Sequence, residues 1–114
     1  MPELPEVETT CRGIRPHIEQ TQITNVTVRQ PKLRWPITPS LKKHLKNQTI
    51  TGVRRRAKYI LIDTSNGTLM VHLGMTGTLS IVSPSIPASF HDHVDIALSS
   101  GELLRYRDPR RFGS

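Results

Sequence analysis

The residues that invite a chemical reading stand at the start of the chain: Pro2 and Glu3, within Met1-Pro2-Glu3-Leu4-Pro5-Glu6-Val7-Glu8-Thr9. Once Met1 is removed, the nitrogen of Pro2 is a free secondary amine. Such amines titrate at about pH 8, so a useful fraction is unprotonated and nucleophilic at neutral pH. A secondary amine that condenses with an aldehyde has no proton left to lose, and the product is a permanently cationic iminium, an electron sink. Glu3 sets a carboxyl group within reach as a general acid or base. The same residues also suit a helix lead-in, since Pro fits a first turn and acids favour a helix N-terminus.

Three further clusters carry charge or rings. Arg54-Arg55-Arg56-Ala57-Lys58 is the densest basic run, and on a strand Arg54, Arg56 and Lys58 share one side with Arg55 on the other. That side reads equally as a phosphate-contacting ridge or as a solvated face. His91, His93 and Asp95 alternate in His91-Asp92-His93-Val94-Asp95, a spacing a metal could use, although surface polar residues and hydrogen-bonding partners more often look this way. A histidine here could instead donate to a phosphate oxygen. In Asp108-Pro109-Arg110-Arg111-Phe112-Gly113, two guanidiniums adjoin an aromatic ring in a turn, which suits phosphate pairing and insertion of a wedge between bases. Met75, between Gly74 and Gly77, is a second wedge candidate or core filler.

The elements that must position these residues follow from periodicity. Val7, Cys11, Ile14 and Ile18 form one apolar stripe at helical spacing, with Pro5 at the start and Gly13 and Pro16 weakening the last turns. Residues 23–29 read as a strand, and 30–39, with three prolines and Trp35, as a loop. Ser40 can cap a short helix with Leu41 and Leu45 inward and Lys42, Lys43 and Lys46 in water. Strands are expected at 49–53, 59–64, 68–73 and 78–82, with Ser65-Asn66-Gly67 as a hairpin turn. A loop spans 83–90, and a last hairpin joins 93–99 to 102–106 through Ser100-Gly101. The fold class is therefore α+β and mainly β, an antiparallel β-sandwich flanked by two helices, one N-terminal and one short and internal.

At 114 residues the chain fits one domain with a modest core. It shows no long apolar run and no secretion leader, which implies a cytoplasmic protein with no membrane role. The single Cys11, on the apolar stripe, excludes an internal disulfide or a cysteine-based zinc cluster. Sixteen Lys and Arg against nine Asp and Glu leave a net charge of +7, which suits a polyanionic partner.

Taken together, MPELPEVETT, RRRAKYILID, HLGMTGTL, HDHVD and LRYRDPRRFG resemble the N-terminal domain of the formamidopyrimidine-DNA glycosylases of the Fpg/Nei family, bacterial repair enzymes for oxidised purines. The likeness runs through essentially the whole chain in the family's order, and PELPE and RRFG favour this enzyme over its relative endonuclease VIII. It implies a bifunctional glycosylase and abasic-site lyase. Pro2 attacks the anomeric carbon of the damaged nucleotide, Glu3 protonates the ring oxygen, and Lys58 lies near phosphate as proton donor in β-elimination. His91 and Arg110 match DNA-contacting positions. Met75, Arg110 and Phe112 match the trio that fills the gap left by the flipped nucleotide, whose unstacking the inserted side chains offset. The implied partner is damaged double-stranded DNA, bound by a monomer in the bacterial cytoplasm.

Residues 1–114 are accordingly expected to be the catalytic N-terminal domain. The family's helix-two-turn-helix segment and four-cysteine zinc finger have no counterpart here, so no metal site and no cofactor is expected in this chain. Weak lyase activity is expected of it alone. The alternative is a non-catalytic DNA-binding fragment; a tautomerase using Pro2 as base leaves the arginine runs, Met75 and Phe112 unexplained.

Overall fold

The computed structural model describes residues 4–29, 40–73 and 77–108. Helix α1 spans Leu4–Ile18 and is followed by strand β1 (Ile23–Val28), helix α2 (Leu41–Leu45), β2 (Ile50–Arg56), β3 (Tyr59–Thr64), β4 (Gly67–His72), β5 (Thr78–Val82), β6 (Asp92–Leu98) and β7 (Leu103–Arg107). The strands form two antiparallel sheets, ordered β1-β6-β7-β5 and β2-β3-β4. This is the expected mainly-β sandwich with two helices.

The stripe of α1 is the apolar face anticipated, with Val7, Cys11, Ile14 and Ile18 all buried. It joins one core with Ile60 and Ile62 of β3, Val53 of β2 and Val71 of β4, and with Val26, Leu79, Ile96 and Leu104 from the larger sheet. Pro16 does not stop the helix, which runs on to Ile18 and ends as Gln20 turns to a φ of 66°. α2 buries Leu45 as expected, but Ser40 makes no side-chain capping bond. The short helix is held by packing instead.

Because every pairing is antiparallel, the chain links alternate between two ends of the sandwich. At one end lie the α1–β1 link, the β3–β4 turn and the β6–β7 turn, stitched by Gln20 N–H to Ile50 O (2.7 Å), Ser65 N–H to Thr49 O (3.3 Å) and Ser99 N–H to Gln22 O (2.8 Å). The opposite end receives the β2–β3 turn, the link from β4 to β5, the start of β6 and the finish of β7.

At this second end Gly77 N–H donates to Leu73 O at 2.8 Å and ties the finish of β4 to the start of β5. A Cβ on Gly77 would run into the Leu73 carbonyl, so only glycine permits the pinch. Gly77→Ala is expected to lower the unfolding free energy by about 2 kcal/mol, as overpacking against fixed backbone does. Urea denaturation measures it, and an unchanged midpoint would show that the link yields freely.

A cationic end that gathers distant segments

Helix α1 lies against β2 with a definite polarity. Near its C-terminus Arg15 Nε donates to Val53 O at 3.0 Å, and near its start Glu8 Oε2 accepts from Arg55 Nε at 2.7 Å. Moving toward the helix start therefore means moving along β2 toward Arg56, Ala57 and Lys58. Pro2 and Glu3 lie outside the described residues, but Pro2 is two residues from Leu4, a reach of about 8 Å at most. Arg55 and Arg12 hold Glu8: the Arg55 hydrogen bond is the largest influence on its carboxyl group and keeps its pKa below the ordinary value.

The basic run is not one ridge. β2 extends to Arg56, and Ala57 and Lys58 form a two-residue turn into Tyr59, with Ala57 at a φ of 52°. Lys58 thus stands exposed at the turn rather than in line with Arg54 and Arg56. Arg54 is held by Asp63 through two bonds, at 2.8 and 3.1 Å, and its hydrogen bond to Asp63 lifts its pKa. Arg55 is engaged by Glu8. Arg56 and Lys58 form no ion pair with any other described residue.

The histidine cluster is also differently arranged. A bulge between Asp92 and Val94 breaks the alternation, and His91 sits in a turn before the strand. His93 is buried, its Nε2 2.6 Å from Asp108 O, and Asp95 receives Arg105 through both oxygens at 2.8 and 2.9 Å and Arg29 at 2.8 Å. Among the described residues, no three His, Cys, Asp or Glu side chains are placed to hold a metal ion.

Sequence reasoning missed this buried charge network. Asp95 pairs with Arg105, and Arg105 also reaches Pro87 O at 3.5 Å. Arg107 Nη1 donates to Ser89 Oγ at 2.8 Å and lies 3.8 Å from Asp92. The network straps the 83–91 loop over the outer face of β6 and β7 and so fixes His91. The clue was the complementarity of two acids in HDHVD to two arginines in RYR, concealed by the bulge.

Asp108 roots the last motif. It is fully buried, its N–H donates to His91 O at 3.0 Å, and Tyr106 Oη donates to its Oδ2 at 2.9 Å. Burial, reinforced by this bond to Asp108, pushes the Tyr106 phenol far above its usual range. Arg110 and Phe112, like Met75, lie outside the described residues, as does Trp35. Their flanks are described: Leu73 and Gly77 bracket Met75, and Asp108 precedes Arg110 by two residues. Each flank is at the same end as Lys58 and His91.

The whole chain, residues 1–114, matches the family model described as formamidopyrimidine-DNA glycosylase N-terminal domain. It is 55% identical to the formamidopyrimidine-DNA glycosylase of Shewanella loihica and 57% identical to that of Stutzerimonas stutzeri, in each case over all of this chain and 42% of the relative. Among solved structures, the Lactococcus lactis Fpg (MutM) in complex with FAPY-dG-containing DNA superposes with a TM-score of 0.89 at 32% identity, over 98% of this chain and 42% of that one. The same enzyme bound non-covalently to DNA containing an AP site gives 0.90 at 32% identity, over 99% and 44%. The chain belongs to the formamidopyrimidine-DNA glycosylase family. It spans less than half the length of these relatives.

Asp92 and Asp95 supply a pH signature. Burial pulls both carboxyl groups upward, but the bonds from Ser89 to Asp92 and from Arg105 and Arg29 to Asp95 outweigh it, and both sit below the ordinary 3.8. A folded pKa held below the unfolded one gives stability that is complete above the unfolded value and lost as pH falls through the folded one. Unfolding free energy is therefore expected to drop as pH falls below about 4. Asp95→Asn leaves buried Arg105 without its bidentate anion, with only Asp92 at 3.8 Å, and should cost about 3 kcal/mol at neutral pH. It should also shallow the acid limb measured by denaturation at stepped pH; an acid limb identical to that of the parent would remove Asp95 from this role.

Proposed function

We propose that this chain is the catalytic domain of a bacterial base-excision repair enzyme, a glycosylase and abasic-site lyase that removes oxidised purines such as 8-oxoguanine and formamidopyrimidines from double-stranded DNA. One observation supports the reading: the described segments that hold Lys58 and His91, and those that lead into residues 1–3, 74–76 and 109–114, converge on one end of the sandwich, although they span nearly the whole sequence. The family match and the DNA complexes of its structural neighbours support it. The relatives are bacterial, and no helix among the described residues is long and apolar enough to cross a membrane, which fits work in the bacterial cytoplasm.

In this reading the Pro2 amine bonds to the anomeric carbon as the bond to the damaged base breaks, the base leaving with the electron pair and a proton. Glu3 protonates the ring oxygen, so the sugar opens to the iminium. The cation acidifies the adjacent sugar carbon. Its proton is lost, the 3′ phosphate departs with the electrons of its C–O bond, and the 5′ phosphate follows. Lys58, exposed at its turn and unpaired with other described residues, is placed near phosphate as proton donor. His91 and Arg110 hold the backbone, while Met75, Arg110 and Phe112 fill the space of the flipped nucleotide.

The second reading, a DNA-binding fragment without turnover, is favoured by one fact: the chain spans 42% of its relatives, so residues 1–114 by themselves supply only part of the phosphate contacts open to a full-length relative, and affinity scales with those contacts. Borohydride reduction with abasic-site DNA separates the two. The chain freed of Met1 is expected to form a covalent adduct, visible by mass, that N-terminal acetylation abolishes. Salt-sensitive binding with no adduct before or after acetylation would leave only the binding fragment.

A further inference from the structure

The loop strapped over β6 and β7 ends in a β-turn at 89–92, closed by Asp92 N–H to Ser89 O at 3.1 Å, with Phe90 and His91 as its two central residues. The turn is braced on every side. Ser89 N–H donates to Asp92 Oδ2 at 2.7 Å, Arg107 donates to Ser89 Oγ at 2.8 Å, and Asp108 N–H donates to His91 O at 3.0 Å. On this braced turn Phe90 is 84% exposed, and its ring packs edge-to-face with the His91 imidazole, centroids 5.2 Å apart.

A single exposed apolar side chain is ordinary on a protein surface. Phe90 differs in three respects: its turn is rigidly held, its ring touches a histidine assigned to phosphate, and it lies at the end where Arg56, Lys58 and Arg107 are exposed. Nucleic-acid surfaces are built this way, with cations along the backbone and aromatic faces on which bases lie. We propose that Phe90 is a further, non-ionic DNA contact, its ring stacking on a base or deoxyribose of the strand whose phosphate His91 engages. The assignment rests on the DNA-repair reading above. It adds to the wedge residues a contact on the turn at 89–92, which is anchored by Asp92, Arg107 and the Asp108 N–H.

The chain has two phenylalanines, so 4-fluorophenylalanine labelling gives two fluorine resonances, assigned with Phe90→Leu. Titration of the full chain with a duplex bearing a stable abasic-site analogue is expected to shift both. Phe90→Ala should weaken binding roughly tenfold while leaving its dependence on salt unchanged, since no ionic contact is removed. Phe90→Trp should restore affinity. A stationary Phe90 resonance beside a moving Phe112, or parental affinity in Phe90→Ala, would overturn the inference and leave the DNA reading intact. Absence of any binding would remove both.

Discussion

The helix α1 is held to β2 at two points, by a guanidinium on the Val53 carbonyl near its finish and by the Glu8–Arg55 pair near its start. Together with the four-residue link from Ile18 to Ile23, these contacts set which end of the sandwich receives the chain's first residues. The apolar stripe alone carries no such direction. With this polarity the α1 start lies beside the Ala57-Lys58 turn. The far end, among the turns at 65–66 and 99–102, holds neither Lys58 nor His91.

Two other devices serve the same end. Gly77 and Leu73 pinch the link between the sheets, so the finish of β4 and the start of β5 are held side by side. Buried Asp108 ties the finish of β7 to His91 and His93. Burying charge is costly unless it is paired. Here Arg105 and Arg29 neutralise Asp95, and Arg105 also reaches the 83–91 loop at Pro87 O.

Much of this was legible in the sequence because local rules were sufficient. The stripe of α1 follows helical spacing, Ser65-Asn66-Gly67 turns where its φ preferences allow, and β5 occupies the residues its alternation indicates. What escaped depends on non-local pairing. The Ala57-Lys58 turn has no glycine to announce it, and its positive φ is imposed by the register of β2 on β3. The bulge before Val94 makes residues 92 and 95 face the same Arg105 although their spacing is odd. The helix polarity rests on a pair 47 residues apart in sequence.

The convergence of these segments is tested most directly by backbone amide chemical shifts of the labelled chain during titration with abasic-site duplex. Shifts are expected to be confined to the amides around 56–59, 72–77, 89–93 and 106–108 and to the first turns of α1. Shifts concentrated instead at 20–22, 46–49, 65–67 and 99–102 would place DNA on the opposite end and contradict it.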